Sequence, residues 1–379
     1  MPRPPLIGLI AAALLAVLAG AAIGGDDEPA PRRGGAEAAA TPAATSTPGP
    51  DDPDRRAARR MSARELAGAV NVMRFAGAPL PAYVAAALRD RQAAGVILFR
   101  DNLPSPAVAE ALTARVRRAG RGRVLIATDQ EGGSIRNLPW LPPSTAPPGL
   151  RTGPAARAAA RATARGLRST GINVNLAPVA DLGGGPVMGG RAFPGGPAAV
   201  ARLVATIVRA YEGTGVAATA KHFPGLGAAT ANTDDAPATI GKPAHELGAN
   251  DLPPFRAAIA AGVPLVMLSH ARYPALDRRA VASQSRVIVT ELLKRRLGFT
   301  GVAVTDSIEA RAVSATMGPG EAAVRSVRAG IDLVLTTGPG SHLRVYRALQ
   351  REARRSPAFR ARLTDAAARV LRLRRALPE

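Results

Sequence analysis

The chain has 379 residues, of which 47% are hydrophobic, enough for a sizeable core in one large α/β domain or two ordinary ones. Its formal charge of +22 arises from 50 basic against 28 acidic residues, and only Lys221, Lys242 and Lys294 among the basic ones are not arginine. Such a chain is drawn to anionic polymers or lipid headgroups; yet with 3% aromatics and arginines scattered through helix-like stretches, the pattern argues against dedicated nucleic-acid binding and for an acidic cell-wall polymer or membrane surface. The absence of cysteine excludes disulfides, thiolate chemistry, cysteine-ligated metals and a lipidated N-terminal cysteine.

Residues 1–25 read as a signal peptide. Arg3 precedes an uncharged apolar run, Leu6 to Gly24, and small residues at Ala19 and Ala21 offer a cleavage site before Asp26, Asp27 and Glu28. The run also approaches the length of a membrane span, so an uncleaved anchor through residues 6–24 is the alternative, and either way the remainder is exported. Residues 26–60, rich in Ala, Pro and Thr and without apolar periodicity, are expected to form a disordered linker. Ser62 and Glu65 match a helix capping box, which sets the expected start of the folded domain, residues 61–379, near Met61.

From Val70 onward, short apolar runs alternate with amphipathic segments of helical length, the pattern of repeated βα units. The predicted strands are 70–75, 96–99, 124–128, 173–177, 216–220, 265–269, 302–305 and 331–336. The predicted helices are 81–93, 106–119, 154–169, 198–212, 252–261, 289–297, 319–329 and 341–353, with a closing helix over 358–373. Eight of each predict an α/β fold of the (β/α)8 TIM barrel type, whose chemistry sits at the C-terminal ends of the strands.

Those ends carry the candidate site residues. After the third strand stand Asp129, Glu131 and Arg136 around a double glycine; Asp129 is expected to reach a ligand, whereas Glu131 and Arg136 could equally form a structural ion pair. The fourth strand leads to Asn173 and Asn175, which alternation puts inside the barrel as hydrogen-bonding residues. Beyond them Asp181 braces either Arg191 or a sugar. The fifth strand ends in Lys221 and His222, the sixth in His270, which is either structural or part of the pocket. His245 and His342 fall in surface helices. Asp306 closes the seventh strand as the best nucleophile, with a helix N-cap as the competing role.

Together these segments resemble glycoside hydrolase family 3, in particular its bacterial β-N-acetylglucosaminidases with a single barrel. The matching stretches are Gly95–Arg100, Asp129–Gly133, Gly171–Pro178, Lys221–Gly225, Tyr273–Asp277, Leu297–Gly301 and Thr305–Ser307. The resemblance implies retaining hydrolysis of a terminal β-linked N-acetylhexosamine, with Asp306 as nucleophile and Asp129, Arg136, Arg191, Lys221 and His222 among the sugar-binding residues. The expected partner is a carbohydrate such as a cell-wall fragment, and the mechanism requires no metal or organic cofactor.

One departure concerns the proton donor. This branch normally continues after its Lys-His strand with Pro-Gly-His-Gly and then Asp-Ser-His, whose last histidine donates the proton. Here Leu226 replaces the first histidine and Asn232-Thr233-Asp234 replaces the dyad. Asp234 or Asp235 could be the acid, His222 could be recruited, or the protein could be an inactive sugar-binding relative. Loss of the dyad also leaves a β-glucosidase or β-xylosidase of the same family as an alternative.

Overall fold

The computed structural model describes residues 52–378; the expected signal segment and most of the expected linker lie outside them. Eight strands form one parallel sheet: β1 (Asn71–Arg74), β2 (Gly95–Ile97), β3 (Leu125–Thr128), β4 (Val174–Asn175), β5 (Ala217–Phe223), β6 (Leu265–Leu268), β7 (Val302–Thr305) and β8 (Val334–Thr336). Each pairs with its sequence neighbour, β8 pairs back onto β1 from Asn71↔Val334 to Met73↔Thr336, and a bridge between Val304 and Leu333 joins β7 to β8. The sheet is therefore closed, and the barrel expected from eight apolar runs is the one observed.

The lumen is filled by side chains such as Val72, Ile97, Leu125, Val174, Met267 and Val304, all buried. The alternate residues of each strand pack against the surrounding helices, so both faces are covered and the strands read as unbroken apolar runs. The helices 106–119 and 319–329 match their predicted bounds. At the closing seam, the buried Asp332 carboxylate meets Lys294 at 2.7 Å and Arg362, and accepts the Ala303 N–H at 3.0 Å. It thereby ties two outer helical segments to the last strand.

Several expectations are corrected. A helix, Pro53–Arg60, lies within the segment assigned to the linker; Asp52 caps it by accepting the N–H of Asp54 at 2.8 Å. The Ser62–Glu65 capping box then opens the next helix, Ala63–Ala69. Asn173 and Asn175 face outward, because Val174 and Leu176 are the residues that pack in the lumen. Their amides act as extra ladder rungs: Asn173 accepts from the Ile126 N–H at 2.8 Å, and Asn175 donates to the Gln130 carbonyl and the Tyr211 hydroxyl. His342 is buried rather than on the surface, stacked on Tyr83 with ring centroids 6.1 Å apart. Two short antiparallel hairpins, 130–132 with 135–136 and 272–273 with 277–281, occupy loops after β3 and β6. They are too short for a period-two pattern to register.

Candidate active site

At the C-terminal ends of the strands lies a cavity of about 740 Å³. Asp129, Arg136, Arg191, Lys221, His222, Asp234 and Asp306, from distant parts of the chain, all line it. His270 does not. It is wholly buried beneath the cavity, with Nδ1 2.7 Å from the Ser283 hydroxyl, and burial lowers its basicity, so it supports the Asp306 region from behind.

Lys221 and His222 are neighbours on β5, yet both reach the cavity. Regular alternation would send them to opposite faces. The ladder between β5 and β6 shifts register between Ala220 and Phe223, which releases that constraint. The following turn is held by Gly225, at φ +129°, where a side chain would collide with Asp251. The buried Tyr273 hydroxyl donates to the Gly225 carbonyl at 2.9 Å, so the loop after β6 braces the Lys-His turn.

One wall is an ion-pair network. Lys221 Nζ sits 2.6 Å from Asp129 and 2.7 Å from Glu131, and Arg191 grips Glu131 with Nε at 2.9 Å and Nη2 at 2.6 Å. Glu131 is therefore the hub of this wall and not the partner of Arg136. Burial alone would raise its pKa, but Lys221 and Arg191 outweigh burial and pull it to about 2. The same carboxylates raise Lys221 against the opposing effect of burial, so the lysine stays charged. Such a wall presents fixed donors and acceptors to a polar ligand in the cavity without reorganising.

His222 is positioned by Asp181, which braces neither Arg191 nor the cavity directly. The fully buried Asp181 carboxylate lies 2.6 Å from His222 Nδ1 and accepts the backbone N–H groups of His222 at 3.1 Å and of Leu226 at 2.6 Å. A carboxylate facing Nδ1 assigns the proton to that nitrogen. Nε2 then faces Asp306, 3.9 Å away. Asp181→Asn is expected to lower kcat/KM roughly tenfold to a hundredfold, the usual cost of losing a residue that orients a functional histidine. The buried N–H groups it weakens should cost about 1–3 kcal/mol in urea unfolding. An unchanged kcat/KM would remove Asp181 from the positioning role.

Asp306 is not a helix N-cap. The next helix, Arg311–Ser314, begins after Ala310, and one Asp306 oxygen accepts the Ser307 N–H at 2.7 Å. Burial would raise its pKa, but His222, His270, Lys221 and the Ser307 N–H together lower it, so the carboxylate is ionised. Asp234 shows the opposite shift. It stands at the rim, solvent-exposed on one side, and partial burial followed by the charge of Asp306 pushes it up to about 6 against His222. Its backbone is fixed, because the carbonyls of Asp234 and Thr233 accept the N–H groups of Arg311 and Ala312 at 3.0 Å. Leu226 also lines the cavity, whereas Asp235 does not.

Arg74, Phe99, Arg100, Glu309 and Thr337, to which the strand-end pattern assigned no role, complete the walls. Each lies at or just after the end of β1, β2, β7 or β8, so the rule that singled out Asp129 and Asp306 would have found them.

A closed parallel barrel with paired carboxylates and a polar, charged cavity at its C-terminal mouth has the arrangement of a glycoside-cleaving barrel enzyme. The chain belongs to glycosyl hydrolase family 3: residues 70–373 match the family's N-terminal domain. It is 36% identical over 280 residues to a beta-hexosaminidase of Xanthomonas oryzae pv. oryzae, covering 70% of this chain and 82% of that one. It is 38% identical over 258 residues to an uncharacterized secreted glycosyl hydrolase of Arthroderma benhamiae, covering 64% of this chain and 73% of that one. Among solved structures, the family 3 β-N-acetylglucosaminidase of Paenibacillus sp. FPU-7 matches with a TM-score of 0.79 at 33% identity, over 84% of this chain and 63% of that one. The β-N-acetylhexosaminidase of Beutenbergia cavernae matches with a TM-score of 0.75 at 32% identity, over 83% of this chain and 98% of that one. This chain thus spans less than two thirds of the Paenibacillus enzyme and nearly all of the Beutenbergia one.

Proposed function

We propose that the protein hydrolyses terminal β-linked N-acetylglucosaminides with retention of configuration, Asp306 acting as nucleophile and Asp234 as acid and then base. The observation that carries this reading is the pair of carboxylates in one cavity whose pKa values are driven apart, Asp306 downward and Asp234 up to about 6. Opposed shifts of this kind separate a nucleophile from a proton donor. In the first step an Asp306 oxygen bonds to the anomeric carbon, the glycosidic C–O bond breaks, and the Asp234 proton passes to the leaving oxygen. Water then attacks the same carbon, giving its proton to Asp234 and releasing Asp306. The Asp129–Lys221–Glu131–Arg191 wall holds the sugar hydroxyls, and His222 contributes from the side of Asp306. The hexosaminidase names of the relatives support an N-acetyl sugar.

We further read residues 1–25 as directing export, retained as a tether or cleaved, with cell-wall glycan fragments as the substrate pool. No helix among the described residues is long and apolar enough to cross a membrane.

The test is hydrolysis of aryl β-N-acetylglucosaminide, β-glucoside and β-xyloside. The proposal expects the N-acetyl substrate to be preferred; preference for glucoside or xyloside assigns the other activity, and sugar binding without hydrolysis makes the protein an inactive relative. Asp234→Asn should reduce kcat by about 10²- to 10⁴-fold on glycosides with poor leaving groups and far less on activated aryl ones. Because the acid must be protonated, wild-type kcat/KM should fall as pH rises through about 6, and the variant should lose that alkaline limb. Equal losses on both substrate classes would transfer the acid role elsewhere, His222 being the alternative.

A further inference from the structure

At the barrel end away from the catalytic mouth, the segments leading into β2 and β3 meet helices 53–60, 63–69 and 357–376 around a second cavity of about 570 Å³. Among the described residues, seven arginines and two carboxylates, Asp54 and Glu65, line it. Both carboxylates are already engaged, Asp54 by Arg375 at 2.7 Å and Glu65 by Arg91 at 3.3 Å. Arg60 and Arg121 have no carboxylate within ion-pair distance among the described residues. Arg374 donates its Nε–H to the Arg123 carbonyl, and its basicity is lowered first by burial and then by the like charges of Arg91 and Arg123.

We propose that this cavity binds a phosphate-type oxyanion, held by the guanidinium groups of Arg60, Arg121 and Arg374. Arg60 and Arg121 are exposed at the cavity rim and Arg374 is partly buried; like charges gathered in a concave site repel one another, and a multiply charged anion relieves that repulsion while accepting several N–H donors at once. The basic surface elsewhere is different in kind. Arg295 and Arg325 have carboxylates one helical turn away, Glu291 at 2.8 Å and Glu321 at 2.6 Å. The oxyanion could be a soluble phosphate or the headgroup of an anionic lipid. The described chain enters at this same end, where the Asp52 carboxylate meets Arg372. A lipid headgroup held here would turn the catalytic mouth away from the bilayer.

The experiment uses the full chain as wild type, as Arg121→Gln/Arg374→Gln, and as Arg157→Gln/Arg161→Gln, a charge-matched control on an exposed helix face. Equal unfolding midpoints in chloride buffer establish that all three fold alike; if Arg374→Gln destabilises, Arg60→Gln/Arg121→Gln replaces it. Inorganic phosphate at constant ionic strength, followed by the unfolding midpoint, reads the soluble source. Co-sedimentation with phosphatidylglycerol against phosphatidylcholine vesicles reads the lipid source, since an apolar N-terminal run would bind both alike. The proposal expects the cavity variant alone to lose phosphate affinity or phosphatidylglycerol preference by about tenfold or more. A response to phosphate only assigns a soluble ligand, and one to phosphatidylglycerol only assigns a headgroup. Equal responses of all three proteins, as general salting-out gives, or no response in either assay, overturn it.

Discussion

Asp306→Ala is expected to abolish turnover of every glycoside, lowering kcat by about 10⁴-fold or more while leaving sugar binding within a few-fold of wild type. The effect is large because no second carboxylate stands ready in its place: Asp129 and Glu131 are tied to Lys221, Glu309 accepts the Thr337 N–H at 2.8 Å, and Asp234 is pushed toward its protonated form. Asp306 is held ionised at the end of a buried strand by His222, His270, Lys221 and the Ser307 N–H against the effect of burial, and only the ionised group can attack the anomeric carbon. With an activated aryl substrate, added azide should restore part of the rate in the variant by attacking from the vacated side, giving a glycosyl azide of inverted configuration. Activity within tenfold of wild type without azide would assign the nucleophile to another residue.

Lys221→Met should be nearly as damaging, and in stability as well as in catalysis. It removes a cation from between two carboxylates, leaving Glu131, whose side chain is 1% exposed, with Arg191 alone and Asp129 with no cation at 2.6 Å. Breaking a buried pair from one side costs about 3–5 kcal/mol, because the remaining charge stays desolvated. The pH dependence supplies the check. In the wild type, Glu131 titrates at about 2 when folded and near its ordinary value of about 4.3 when unfolded, so its contribution is fully present above that value and lost as pH falls toward 2. That contribution is about 3 kcal/mol. The variant should show a shallower loss between pH 5 and 2 in urea unfolding, and Glu131→Gln added to it should recover part of the stability at pH 7. Identical acid dependence in wild type and variant would mean that Lys221 does not set the ionisation of Glu131.

Much of the barrel was legible in the chain. A parallel strand buried on both faces is an unbroken apolar run, so all eight were located to within a few residues, and β7 matched at both ends. The phase of a run that is apolar on both sides is less visible. Asn173 and Asn175 were assigned to the lumen because alternation alone does not say which set points inward, and the apolar packing of Val174 and Leu176 decided it. Helix 53–60 is hard to see in the sequence because its only apolar side chains after Pro53 are Ala57 and Ala58, too small and too few to set it apart from the preceding Ala- and Pro-rich stretch.

The site divides in the same way. Asp129, Lys221, His222 and Asp306 could be named from sequence because each lies at or next to a strand end, where a parallel barrel delivers side chains to its mouth. Their partners could not. Asp181 meets His222 across 41 residues of chain, Arg191 meets Glu131 across 60, and Lys221 meets Asp129 across 92. Local sequence left Asp181 open between Arg191 and a sugar, and offered Glu131 to Arg136. Closure of the barrel set which charges approach within hydrogen-bond distance, and the strength of an ion pair depends on that distance and on burial. Likewise, the residues after β5 told that the usual histidine was missing. Only the cavity separated Asp234, on its wall and raised to about 6, from Asp235, which lies off it. The sequence by itself thus determined the barrel, its family and the residues at its mouth, all carried by local apolar pattern and motif; the tertiary structure alone decided their pairing and protonation, which arise from contacts between parts of the chain that local pattern does not connect.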